Sequence, residues 1–281
     1  MPANRRPTVV DALMELLSGL HVQIAEGIVI FDRPTAVRHL ASAALRGAAG
    51  YCLASHRPDL MARCFKPGQG GGRPPAGLFQ PLHRRAATAD AFPFRIVTWD
   101  PEGEFLTGLA EALVQSGPGR PFGGGDSLIA AVHIDGIGDL VHQGLSSPAA
   151  AWRLTLRTPV SLERQGRLLN TDDLTLGHIV QATAWRLNLL SEHYGNRAQI
   201  DPSAWMAAAS LTRERQRDLQ WVEPKRWSST QDRAISLAGV VGDLLYSGLT
   251  PELATLLLAA SAFHLGKHTA EGCGLVVLDP A

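Results

Sequence analysis

Three cysteines in 281 residues, Cys52, Cys64 and Cys273, leave little room for sulfur chemistry. The set is odd, sparse and widely spaced, and holds no Cys-x-x-Cys pair. That excludes a zinc framework of the usual spacing and fits a reducing compartment. An excess of either charge is also missing: 26 basic residues face 26 acidic ones, with ten histidines outside the sum. Most nucleic-acid-binding domains are basic, so the balance argues mildly against a polyanionic partner. It does not decide the matter, because phosphate binding depends on a local patch rather than the total. Long apolar runs are lacking. The longest, Leu253 to Leu258 continuing to Phe263, is too short and too polar at its ends to span a bilayer. The opening Met-Pro-Ala-Asn-Arg-Arg is not followed by an apolar segment with a small-residue cleavage site. A cytoplasmic protein without a signal peptide or a membrane partner is therefore expected. A nucleophile elbow, a dinucleotide fingerprint and a P-loop are absent too, which leaves a small-molecule enzyme on an α+β fold without support.

What is present is a globular chain, 45% hydrophobic. Val9 to Phe31 is apolar with scattered Glu15, His21 and Glu26, and its part from His21 to Phe31 alternates as a strand. After the break at Asp32 to Thr35, residues Ala36 to Ala54 carry helical spacing, with Val37, Leu40, Ala41, Ala44 and Ala48 as the apolar stripe. Pro67 to Pro75 is a glycine- and proline-rich loop. Strands are expected at Leu78 to Leu82 and Phe92 to Trp99, a helix at Phe105 to Gln115, and a strand at Leu128 to Ile134. The order strand, helix, strand, strand, helix, strand is that of a ferredoxin-like unit.

Asp135 to Pro148 reads as a connector, after which the order repeats. Trp152 to Val160 is a strand, Asp172 to Tyr194 a long helix stopped by Gly195, and Leu219 to Val222 and Ile235 to Leu245 are strands. Thr250 and Pro251 start a helix to about Leu265, and Leu275 to Leu278 is the last strand. Trp152 and Trp185 fall in apolar periodic segments and are expected in the core. The fold class is thus α+β: two tandem ferredoxin-like (RRM-like, βαββαβ) domains over 1–140 and 149–281, with a C-terminal glycine-rich loop. The repeat lies in the element order and not in the residues.

An ordered set of residues carries a resemblance. Leu156 to Val160 is a strand ending in Thr158 and Pro159. Ala184 to Leu190 leads to Tyr194 and Gly195. Arg226, Trp227, Ser228 and Gln231 follow, then Leu237 to Gly242 and Tyr246 to Gly248. His264, Leu265, Gly266, Lys267, His268 and Thr269 then run on to Gly272, Cys273 and Gly274. In the first half, Leu45 to Gly50 and the pair Pro74 and Pro75 add to it. Over most of its length the chain resembles the CRISPR-associated repeat-processing endoribonucleases of the RAMP superfamily, the Cas-six type. One departure is visible: the family's glycine-rich loops are often followed by an aromatic or basic residue, whereas this one carries Glu271 and ends in Cys273.

The resemblance implies paired ferredoxin-like domains. It also implies cleavage of the repeat in precursor CRISPR RNA to mature guide RNA, with no metal or other cofactor and a 2′,3′-cyclic phosphate product. Its partners would be CRISPR repeat RNA and, with the product retained, other subunits of an interference complex. Such a cut needs a proton removed from the ribose 2′-OH, a proton given to the leaving 5′ oxygen, and cations on the phosphate. His39 lies on the predicted first helix, where several family members place a catalytic histidine. His39, Ser42 and Arg46 share one helix face at i, i+3 and i+7, with Arg38 at its edge. The plain alternative is a solvated helix face.

The loop Gly266 to Gly274 is the candidate RNA contact, through Gly266, Lys267, His268, Thr269, Gly272 and Gly274; otherwise it is a tight helix-to-strand connection. His264 and His268 are four apart, but Gly266 ends the helix between them and no acidic third ligand is near, so no metal site is expected. Arg213, Arg215, Arg217, Lys225 and Arg226, interleaved with Trp221 and Trp227, suit RNA. They equally suit a solvated hairpin with both tryptophans in the core. Arg84 and Arg85 form a further basic pair. Two other readings stay open: a non-catalytic crRNA-binding subunit of an interference complex, and a type IV processing enzyme that uses arginines in place of histidine, with the Arg33 to Arg57 region as its helical insertion.

Overall fold

A computed structural model describes residues 8–35, 41–66, 73–82, 89–122, 126–139, 149–228 and 232–281. Strands β1 (Gln23–Thr35), β2 (Gly77–Pro81), β3 (Ala89–Thr98) and β4 (Ile129–Asp139) form an antiparallel sheet in the order β2-β3-β1-β4. Strands β5 (Ala151–Val160), β8 (Arg213–Val222), β11 (Gly239–Ser247) and β12 (Val276–Pro280) form a second, in the order β12-β5-β11-β8. Taking the four strands of each sheet in chain order, both read fourth-first-third-second. That is the strand order of a split βαβ unit, and the tandem ferredoxin-like fold is present. Two short hairpins decorate the second sheet: β6 (Glu163–Arg164) with β7 (Arg167–Leu168), and β9 (Lys225–Ser228) with β10 (Arg233–Ser236).

The crossover helices are α2 (Ala41–His56) and α4 (Glu104–Ser116) in the first half, and α5 (Leu176–Tyr194) and α7 (Pro251–Phe263) in the second. Their starts are written in the sequence. Thr250 accepts from the Leu253 N–H with Pro251 in the first turn, and Thr175 caps α5. A short helix, α3 (Pro58–Leu60), runs into a π-helical turn at Met61–Phe65.

Two helices lie outside the expected pattern. α1 (Val9–Gly19), expected only as an apolar stretch, buries Leu13, Leu16 and Leu17 at helical spacing, and Thr8 and Asp11 close a capping box over its start. α6 (Pro202–Leu211) begins at an Asp201 cap followed by proline. Boundaries also differ: β1 runs on to Thr35, through the break expected at Asp32 to Thr35. α5 starts at Leu176 rather than Asp172, because residues 170–174 form a turn on the Asn170 side chain. β8 begins at Arg213, six residues before the expected strand. Its exposed side chains hide the alternation that marks a half-buried strand. The stretch expected as one strand from Ile235 is two, β10 and β11. β4 continues to Asp139, into the expected connector. Trp152 is core, but Trp185 is 58% exposed on the outer face of α5.

The halves share one buried seam. Gln80 of β2 donates from Nε2 to the carbonyls of Ser261 (2.9 Å) and Ala262 (3.2 Å) at the end of α7. Trp99, just after β3, packs on Phe263 with ring centroids 5.8 Å apart. The Arg186 guanidinium lies 5.5 Å from the Trp99 ring, and its Nε donates to the Phe263 carbonyl at 3.1 Å. The Tyr194 hydroxyl donates to the Pro74 carbonyl, and Asn196 donates to the Glu15 carbonyl at 3.0 Å. The C-terminal end of α7 is therefore held by side chains from both halves, which fixes where the following loop emerges.

Candidate functional site

That loop leaves α7 at His264, whose φ of 54° is a backbone region L-residues rarely adopt. Its Nδ1 lies 2.9 Å from the Cys273 carbonyl. A carbonyl only accepts, so Nδ1 carries the proton, and the buried Nε2 has no partner. Burial pushes its pKa down to about 3, against the raising effect of the Cys273 bond and with the charge of Arg186 adding to the lowering. His264 is thus a neutral pin across the base of the loop.

Each glycine of the loop answers a packing need. A Cβ on Gly266 (φ +80°) would lie 2.3 Å from the Ser161 carbonyl oxygen, and one on Gly274 (φ +82°) would lie 2.0 Å from that of Leu265. A Cβ on Gly272 (φ +85°) would lie 2.2 Å from Cβ of Ser42, on the first turn of α2. The N–H groups of Lys267, Glu271, Gly272, Cys273, Gly274 and Leu275 all donate to protein oxygens. These bonds make the loop from Glu271 to Leu275 a folded ridge tied back to the protein. The Lys267 ammonium is exposed and pairs with Glu163; His268 and Thr269 lead into a single 3₁₀ turn, Thr269–Glu271.

The ridge rests on α2. Ser42 is buried beneath Gly272. One turn on, Arg46 donates from Nη2 to the Phe65 carbonyl at 2.8 Å and places its guanidinium 4.0 Å from the Phe65 ring centroid. Burial lowers the Arg46 pKa to about 10, with Glu271 opposing that shift and Arg226 adding to it. It therefore stays charged at neutral pH as a fixed cation rather than a proton carrier. His39 and Arg38, and the pair Arg84 and Arg85, lie outside the described residues.

The basic stretch divides. Arg226 of β9 reaches the ridge: its Nη2 lies 3.0 Å from Oε1 of Glu271. Lys225 beside it is exposed. Arg213 and Arg215 are exposed at the far end of β8, roughly 30 Å along the strand from Val222, and Arg215 donates to the Ser247 hydroxyl at 2.7 Å. Arg217 makes a two-pronged pair with Glu214 (2.7 Å on each arm) and donates to the Leu174 carbonyl at 3.0 Å, so it ties β8 to the turn before α5. Trp221 is 42% exposed rather than core. Sequence reasoning passed over Gln80 and Phe65, whose roles depend on contacts far along the chain. It noted Glu271 only as an odd charge in the loop.

A family model described as CRISPR-associated endoribonuclease Cas6 matches residues 154–276. The match covers 123 of the 281 residues, somewhat less than half of the chain. Likeness in fold extends over both halves. A Cas6 product complex superposes with a TM-score of 0.61 at 16% identity, over 92% of this chain and 99% of that one. Thermus thermophilus Cas6 gives 0.59 at 14% identity over 92% and 99%. A RAMP protein binding different RNA substrates gives 0.52 at 13% over 92% and 100%. Curated protein sequences give no match. The matched segment runs from within β5 to the first residue of β12 and so includes the ridge, β8 and the β9–β10 hairpin. Arg46 lies outside it and belongs to the site through the fold.

Proposed function

We propose that this chain binds CRISPR repeat RNA across the junction of α2 and the glycine-rich ridge and cuts it to guide RNA without a metal, leaving a 2′,3′-cyclic phosphate. The observation that carries the reading is the meeting of α2 and the ridge. Elements from opposite halves, with Arg46 on one and Arg226 drawn to the other, converge on one place. The Cas6 match and the solved relatives, described as product, substrate-mimic and RNA complexes, support RNA as the ligand.

The chemistry needs no activated water, because the nucleophile is the substrate's own 2′-OH, held next to the phosphorus it attacks. His39 takes the 2′ proton, the oxygen–phosphorus bond forms as the bond to the 5′ oxygen breaks, and that oxygen takes a proton from solvent water as it leaves. Arg46 and the cations Arg38, Lys267, Lys225 and Arg226 steady the charge on the phosphate. Gly266, His268, Thr269, Gly272 and Gly274 shape the ridge against the strand, and Arg213, Arg215 and Arg217 flank the path along β8. No described helix is long and apolar enough to cross a membrane, and we take the protein to act in the cytoplasm.

The test is incubation with cognate repeat RNA in EDTA, beside His39→Ala. Cleavage to a cyclic phosphate by the native protein, lost at least about 100-fold in the variant, is expected. Tight binding with no cut by either sinks the nuclease and leaves a crRNA-binding subunit. Equal cleavage moves the chemistry to the arginines, with Arg46 first.

A further inference from the structure

The contact between Glu271 and Arg226 is incomplete in a way that points to a ligand. Arg226 meets the carboxylate through Nη2 alone, at 3.0 Å. Its Nε is buried and has no acceptor. A guanidinium facing an oxyanion normally uses two parallel donors, and a buried donor left empty is costly. Arg46 lies close enough for its protonation to respond to both Glu271 and Arg226. Arg226 thus holds the carboxylate directly, and Arg46 stands one turn along α2 from Ser42, which meets Gly272 next to Glu271. Both arginines are held from behind, Arg46 by the Phe65 carbonyl and ring and Arg226 by the β9–β10 ladder. Glu271, by contrast, is the last residue of the one-turn helix Thr269–Glu271. Its carboxylate can turn away by side-chain rotation with the backbone unmoved.

We propose that Glu271 is a built-in stand-in for an RNA phosphodiester: it occupies the Arg46–Arg226 site in the free protein and swings out when a phosphate takes its place. This rests on the reading of the chain as an RNA-binding protein and adds the site's resident competitor. A phosphodiester presents two non-bridging oxygens, enough to fill both Nη2 and the empty Nε of Arg226 while facing Arg46. Because the carboxylate must be displaced, every RNA pays a fixed penalty at this point, and RNA that places a phosphate here overcomes it.

The experiment compares native protein, Glu271→Gln and Glu271→Asp. It measures binding of a repeat RNA carrying a 2′-deoxy sugar at the cut, titrated between about 50 and 200 mM salt. Glu271→Gln should bind roughly five- to tenfold tighter at the low-salt end. Its plot of log affinity against log salt should steepen by about 0.7, the increment for one more counterion released from a single strand. Glu271→Asp keeps the charge but withdraws it from Arg226, and should show a part of the gain, about twofold. It serves if the glutamine variant fails to fold. Adding Arg226→Ala to Glu271→Gln should abolish the gain. If the native protein binds but Glu271→Gln or Glu271→Asp binds no tighter, with an unchanged salt slope, the pair is a structural tie and this inference falls alone. If the native protein binds no RNA, the inference falls together with the reading beneath it.

Discussion

His264 shows what a single residue does for the ridge. It is fully buried, sits at φ 54° and holds the Cys273 carbonyl through Nδ1. Its pKa falls from the ordinary histidine value to about 3 on folding. The unfolded chain therefore takes up a proton below about pH 6.5 that the folded chain refuses. The stability tied to this group is complete above pH 6.5 and is lost as the pH falls from there towards 3, by up to about 1.4 kcal/mol per unit. Urea midpoints measured from pH 7.5 down to 5 should fall in the native protein and flatten in His264→Gln; parallel curves would mean that another group controls the acid limb. Gly272 makes the second residue-scale case. Gly272→Ala adds a methyl where Ser42 leaves 2.2 Å, at a φ of +85°. Either the ridge or α2 must move, at a cost of about 1–3 kcal/mol. Cleavage should fall further than thermal stability does, since the shift opens the junction itself; a variant with native activity would show that the contact does not position the site. Such residues were half legible in the sequence. The glycines stood out by type and spacing, but the burial of Arg46 against Phe65 rests on a contact between residues 19 apart, which no periodicity encodes.

Among elements, α7 and the ridge behave as one piece held from outside. The last carbonyls of a helix lack internal partners. Here Gln80 takes those of Ser261 and Ala262, and Arg186 takes that of Phe263, a cation at the negative end of the helix. Gln80→Ala removes two of these partners from a buried site and should cost about 1–3 kcal/mol. Its signature is local: amide exchange across 264–274 should quicken while that of β5 and β11 stays unchanged. Uniform quickening would mean that Gln80 supports the whole fold and not this helix end. The elements that the sequence made legible share a property. β2, β5, α4 and α7 are all largely buried, so an apolar run or helical spacing bounded by turn residues marks each of them. β8 was expected only over its last four residues because it is an exposed edge strand, whereas α1 does carry helical spacing, in Leu13, Leu16, Leu17 and Leu20, as well as the Thr8 cap, and was overlooked. Trp185 was misplaced for the converse reason: its neighbours on α5 are buried, but the helix turns that one side chain to solvent.

At the scale of the whole molecule, the site exists only because two similar units are fixed at one relative position. Each half supplies what the other lacks, α2 with Arg46 from the first and the ridge with Arg226 from the second. The seam that sets the distance centres on Trp99, which is fully buried, donates from its indole to the Pro75 carbonyl at 3.0 Å, and meets Phe263 and Arg186 from the other half. Truncating such a side chain costs about 3–5 kcal/mol. The loss falls first on the seam, where Trp99 meets Phe263 and Arg186. Native protein should therefore unfold in one transition, with circular dichroism and the protection of residues 264–274 changing together. Trp99→Ala should separate them, the ridge losing protection at a lower denaturant concentration than the β5–β11 sheet, with RNA cleavage following the ridge. If the variant instead unfolds in a single earlier step with the ridge protected to the end, the second half carries its ridge unaided. The junction with α2 would then be a consequence of docking and not its cause.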